Sequence, residues 1–171
     1  MNILEASTCL AVNAHKGQKR RNSNDEYITH PLRVSDMVIA RGKSNVIAAA
    51  AVMHDVFEDT EYNQFMARDI LLYDYSQYAD EVSKVIELII ELTKIKNIYW
   101  EATNISFDAK FIKLCDRIDN LRDWKSQDIG WVKRYLKNSE HLLSQLHGVD
   151  KEYEDMLSNT IKNIYTEIAN G

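Results

Sequence analysis

Turn-forming residues are scarce in this chain of 171 residues, which holds five glycines and one proline. An average chain devotes about 12% of its length to the two together. Sheets joined by tight hairpins consume those residues, so their scarcity argues against an all-β fold. Cysteine is scarce too. Cys9 and Cys115 cannot build a disulfide framework, and two thiols suit a reducing cytoplasm. Long apolar runs are missing. The longest strongly apolar segment, Val46 to Met53, has eight residues, against about 20 needed to cross a bilayer. No membrane partner is therefore expected. Glu5 stands where a signal peptide would place a basic lead into an apolar stretch, so none is expected. Positive charge is in deficit, with 21 Lys and Arg against 26 Asp and Glu, a net charge of −5. An acidic chain with a pI near 5.5 is not a default binder of nucleic acid.

What is present is ordinary globular material, 45% apolar and 27% charged, with enough apolar side chain for a core. No repeat, low-complexity tract or linker interrupts it, and the length suits one domain spanning 1–171. The patterning is helical. A loose stripe runs from Ile3 to about Lys16, followed by a polar loop, Gly17 to Tyr27. His30-Pro31 opens a second helix, which continues through Val34, Val38 and Ile39 and stops near Gly42. Ser44 is a candidate N-cap for a third, from Asn45 to about Phe57, apolar on every face in its middle. Such a helix belongs at the centre of a bundle. Further helices are expected over Tyr62 to Tyr73, Asp80 to Lys94, Ser106 to Trp124, Gly130 to His147 and Asp150 to Ala169. The expected fold is an all-α helical bundle.

Four short segments carry ionisable chemistry. The first is His54-Asp55 followed by Glu58-Asp59. In one continuous helix, i and i+4 share a face, which would stack His54 on Glu58 and Asp55 on Asp59. Four such groups at the tip of an apolar helix are costly to bury without compensation. An imidazole beside a carboxylate suits a divalent ion, and a solvated helix end is the other reading. The second is Lys113-Leu114-Cys115-Asp116-Arg117-Ile118-Asp119-Asn120, where Asp116 falls within an apolar stripe. A metal or an arginine would compensate it, and a surface ion pair is the alternative. The third is Tyr27-Ile28-Thr29-His30-Pro31, in which the positive end of a helix favours a neutral, metal-binding His30, or one that only caps. The fourth is the basic island from Lys16 to Arg21, able to hold phosphates or simply to stay solvated.

Taken in order, A-H-x-G-Q-x-R, Y-I-T-H-P, H-D-x-x-E-D and K-L-x-D-R-x-x-N resemble one family. This is the HD-domain hydrolase half of the bacterial Rel/Spo alarmone enzymes, and especially their stand-alone small alarmone hydrolases. The resemblance runs from about Ala14 to Asp123, with a fainter echo from Trp131 to Leu146. It implies a fold of the HD-domain phosphohydrolase type and a metal-dependent hydrolase that removes the 3′-pyrophosphate from (p)ppGpp, a small nucleotide. It further implies one divalent ion, manganese, held by His30, His54, Asp55 and Asp116. Glu58 and Asp59 match the acidic pair that handles the attacking water. Lys19, Arg20 and Arg21 match the basic loop that contacts the nucleotide, Asn120 an asparagine near ribose and metal, and Tyr135 a tyrosine of the nucleotide pocket. The main departure is Asp119, where the bacterial enzymes usually carry His and the animal homologues an aromatic residue. With Arg122 and Asp123 close behind it, that departure bears on base or ribose recognition. Two other readings stand beside this one. One is an HD-domain hydrolase of another nucleotide, such as a deoxynucleotide monophosphate or a phosphorylated dinucleotide cofactor. The other is an inactive nucleotide-sensing module.

Overall fold

The computed structural model describes residues 1–75, 78–94 and 101–170. Nine α-helices lie among the described residues: α1 Ile3–Ala14, α2 Thr29–Ala40, α3 Asn45–Val52, α4 Val56–Asp59, α5 Gln64–Tyr75, α6 Ala79–Leu92, α7 Phe107–Asn120, α8 Ile129–Gln145 and α9 Lys151–Asn170. Short 3-10 turns cover Ala102–Asn104 and Leu121–Ser126. Among the described residues, the nearest approach to a β-structure is a single antiparallel bridge between Lys19 and Glu26. The all-α expectation holds.

The helix in the middle is α3. Ala48 to Val52 are wholly removed from solvent, and α3 packs against α1, α2, α6 and α7. Alanine is what allows this, because small side chains let four neighbours approach one short helix. The α2 face is pinned by the Ser35 hydroxyl, which donates to the Ala48 carbonyl at 3.0 Å. Ser44 and Ser106 cap α3 and α7 through their side chains, satisfying backbone N–H groups that the first turn leaves without partners. After α2 and α8 the chain turns through Gly42 and Gly148 at φ +69° and +86°, left-handed backbone that side chains with a Cβ resist.

Two expectations fail at helix ends. The third helix stops at Val52, not near Phe57, and a turn over Met53 to Asp55 separates it from α4. The His54 imidazole supplies the reason, since its Nδ1 donates to the Ala51 carbonyl at 2.8 Å. A side chain thus serves an acceptor at the helix end, where backbone partners run out. Likewise the helix from Ser106 does not run on as an α-helix to Trp124; it gives way to a 3-10 turn after Asn120, with Asp123 at non-helical φ and ψ. Both breaks fall beside the ionisable clusters.

Candidate active site

Three elements converge. His30 comes from the first turn of α2, His54 and Asp55 from the turn between α3 and α4, and Asp116 from α7. His30, His54 and Asp116 are buried, and each offers a ligand atom within 4.8 Å of the others. Asp55 Oδ2 lies 3.0 Å from His54 Nε2 and 3.7 Å from His30 Nε2, while Asp116 Oδ1 lies 3.6 and 3.2 Å from the same two atoms.

The tautomers follow from the neighbours. His54 Nδ1 faces a carbonyl and His30 Nδ1 a carboxylate, the Asp119 Oδ2 at 2.7 Å. Both partners only accept, so each Nδ1 carries hydrogen. Neither Nε2 makes a hydrogen bond, although both are buried. Two buried imidazole nitrogens without partners, aimed at the same two carboxylates, are the donor set a divalent cation takes. Without a cation, protons do the compensating. Burial opposes charge on His54, but Asp55 and Asp116 outweigh it and raise its pKa to about 10. Burial likewise works against ionised Asp116, yet Lys113, 2.6 Å from Oδ2, and the two imidazoles hold it well below the usual carboxylate range. Asp55 is also held down, by His54 above all, against the cost of its burial.

Beside this cluster opens a cavity of about 560 Å³. Glu58, Asp59, Asn120, Arg20, Arg21 and Tyr135 line it, as do Tyr27, Asp123, Gln127 and Trp131. Two lining residues touch the cluster directly. The Tyr27 hydroxyl lies 2.7 Å from Asp55 Oδ2 and 2.8 Å from Asp59 Oδ2, its one hydrogen shared between the two carboxylates. Asn120 donates through Nδ2 to Asp116 Oδ1. Arg20 reaches from the loop to Asn120 Oδ1 at 3.0 Å and Asp123 Oδ2 at 3.3 Å. On the far wall the Trp131 and Tyr135 rings stack at 4.6 Å. Arg21 lies over Trp131 at 5.3 Å, and Arg117 lies 4.3 Å from the Tyr135 ring centre. Aromatic rings and planar guanidinium groups are the kinds of surface on which a nucleobase packs, and the arginines suit phosphates. A larger hollow, about 830 Å³ where α8 meets α9, is lined by acidic groups such as Glu140, Asp150 and Glu154 and by none of these residues.

The expected stacking of His54 on Glu58 rested on one unbroken helix, and the turn at Met53 to Asp55 removes that basis. Asp55 and Asp59 still share a side, because the Asp59 N–H bonds the Asp55 carbonyl at 2.9 Å and Tyr27 spans both carboxylates. Glu58 instead accepts the Lys94 N–H through Oε2 at 3.2 Å. Lys19 is not in the cavity wall; its ammonium pairs with Glu26 across the loop bridge. Asp119, expected to bear on base or ribose recognition, is fully buried behind His30 and does not line the cavity. Tyr27 within Y-I-T-H-P and Gln18 within A-H-x-G-Q-x-R carry no role in the motifs themselves, yet Tyr27 bridges two carboxylates and the Gln18 amide donates to the Asp59 carbonyl at 2.9 Å. Trp131 was readable as an aromatic one turn before Tyr135.

The chain is similar to proteins of known family. The family model described as HD domain matches residues 7–140. The guanosine-3′,5′-bis(diphosphate) 3′-pyrophosphohydrolase MESH1 of Xenopus tropicalis is 30% identical, over 91% of this chain and 90% of its own length. A GTP pyrophosphokinase of Streptomyces coelicolor is 31% identical over 80% of this chain but only 15% of its own length. This chain thus spans a small part of the long relatives it matches and nine-tenths of the Xenopus protein. Among solved structures, a metazoan SpoT ortholog described as hydrolysing ppGpp superposes with a TM-score of 0.76 at 23% identity, covering 95% of this chain and 96% of that one. That likeness speaks for the fold. Because the HD-domain match covers residues 7–140, well over half of the chain, the chain belongs to the HD-domain family.

Proposed function

We propose that the protein is a metal-dependent hydrolase that removes the 3′-pyrophosphate from (p)ppGpp, acting through residues 1–171 as one HD-type unit in a reducing cytoplasm. The observation that carries it is the pair of buried, unpartnered Nε2 atoms facing Asp55 and Asp116 beside a cavity with an arginine rim and an aromatic wall. The similarity to the MESH1 pyrophosphohydrolases supports the choice of substrate.

His30, His54, Asp55 and Asp116 would hold one divalent cation, manganese, which accepts imidazole and carboxylate together. When bound, that cation supplies Lewis acidity, polarising a phosphoryl oxygen and making water easier to deprotonate. The chain does the rest. Arg20 and Arg21 hold the phosphates, with planar donors that fit their oxygens. Trp131 and Tyr135 offer the base a stacking face. Glu58 accepts the proton of the attacking water, and Asp59 stays oriented by Tyr27. Burial, with Asp55 and Asp59 beside it, pushes the Tyr27 hydroxyl up, so Tyr27 remains a donor. As the new P–O bond forms, the bond from phosphorus to the ribose 3′ oxygen breaks, that oxygen takes a proton, and pyrophosphate departs.

The test is to incubate Mn²⁺-loaded protein with ppGpp and pppGpp beside deoxynucleotide monophosphates and a phosphorylated dinucleotide cofactor. Equal release of pyrophosphate and GDP or GTP is expected. Turnover confined to another nucleotide would transfer the activity to that substrate. Alarmone binding without turnover would make the protein a sensing module.

A further inference from the structure

His30 and His54 face the same point but are held from behind by different groups. His54 Nδ1 rests on a neutral carbonyl, that of Ala51. His30 Nδ1 rests on the Asp119 carboxylate at 2.7 Å, 89 positions away in sequence. Asp119 has no exposed surface. Arg33 grips it with two prongs, Nε on Oδ1 at 2.7 Å and NH2 on Oδ2 at 2.9 Å. Both carboxylate oxygens are thereby fixed in the plane of one guanidinium, and Oδ2 is left to accept the imidazole proton.

An ionised carboxylate is costly to bury unless paired, and here the pairing does two things. Arg33, with Arg122 reaching Oδ1 at 3.4 Å, balances the charge, and His30 adds its Nδ1–H on Oδ2. The consequence falls on the opposite side of the ring. A carboxylate on Nδ1–H keeps the hydrogen at Nδ1, stops the ring from turning and makes Nε2 a stronger donor. From this geometry we infer that Asp119 is a positioning residue, forming with His30 a carboxylate–histidine pair that aims and strengthens Nε2 as a metal ligand. This inference rests on the metal reading above and moves Asp119 from substrate recognition to metal retention.

The test compares Mn²⁺ affinity, by titration into chelator-stripped protein at one neutral pH, for wild type and for Asp119→Ala, Asp119→Asn and Arg33→Ala. Asp119→Ala is expected to weaken binding by roughly 10- to 100-fold, as for loss of other groups that orient a ligand histidine. Asp119→Asn keeps an oxygen for Nδ1–H without the charge and should fall between. Arg33→Ala should weaken binding less than Asp119→Ala, because the carboxylate–imidazole contact survives with Arg122 still on Oδ1. In NMR spectra of metal-free protein, the exchange-protected Nδ1–H proton of His30 should be present in wild type and lost in Asp119→Ala. If the alanine variant does not fold, the asparagine variant carries the comparison. Wild-type affinity in a folded Asp119 variant would overturn the inference, and so would equal weakening by Arg33→Ala, which would mark a purely structural ion pair. Failure to hydrolyse alarmones, with metal affinity still dependent on Asp119, would overturn the proposed substrate and leave this inference standing.

Discussion

Asp55 and Glu58 stand three positions apart and have different work to do. Asp55 Oδ2 lies 3.0 Å from His54 Nε2 and has Tyr27 donating to it, so removing it leaves two imidazoles facing Asp116 alone. Glu58 lines the cavity and meets the backbone of Lys94. We therefore expect Asp55→Ala to lose its metal, read by metal analysis of purified protein. Glu58→Gln keeps size and hydrogen bonding but not basicity, so metal should remain while alarmone turnover falls by roughly 10²-fold or more, as for loss of a general base. Loss of metal in Glu58→Gln would make Glu58 a ligand; full turnover would place the proton acceptor elsewhere. Both variants are best measured for metal and turnover on the same preparation.

At the scale of elements, α3 sets how close everything else can come. Its alanines touch α1, α2, α6 and α7, and Ala50 has no exposed surface. Ala50→Leu would force these helices apart, and overpacking of this kind costs about 1–3 kcal/mol. Urea unfolding should show the midpoint falling with an unchanged slope. The same shift would move His54, which hangs from the end of α3 by its bond to Ala51, relative to His30 on α2. Metal affinity is thus expected to fall along with stability. The α3–α4 break belongs to this scale as well. Only an interrupted helix turns His54 and Asp55 toward a common point, whereas an unbroken one would splay successive residues by about 100°.

Across the whole molecule, the proposed ligands join α2, the α3–α4 turn and α7. A cation bound to the folded chain and not to the unfolded one stabilises by mass action, about 2.7 kcal/mol at a hundred times its dissociation constant. Chelation should therefore lower the melting temperature, and Mn²⁺ should restore it in proportion to the logarithm of its concentration. Asp55→Ala should show no such response. The two thiols report on the same fold. Cys9 is exposed and Cys115 buried, with burial and then Asp116 pushing the Cys115 thiol up. A thiol reagent should label Cys9 alone in native protein and both cysteines in denaturant. Native labelling of Cys115 would show α7 opening.

The all-α class was legible from composition and period because both are local. Few turn residues, a Pro in the first turn of α2, Ser caps and apolar stripes each act within a few positions, and Gly42 follows the end of α2 as expected. The candidate site residues were visible as motifs, since His, Asp and Arg stand out wherever they occur. Their geometry was not. Whether His54 and Glu58 share a face depended on a side chain competing for the Ala51 carbonyl. Whether Lys19 faced the cavity depended on Glu26 across the loop. Asp119 shows the division most clearly. In the sequence it is one acid among several in a helix, and its place in a motif suggested a contact with substrate. Its place behind His30 came from packing α2 against α7, which joined residues 86 and 89 positions apart. Local interactions decide which helices form and where they stop. Which buried charge meets which imidazole is decided only when the helices pack, because a buried carboxylate must find its partners wherever the fold has put them.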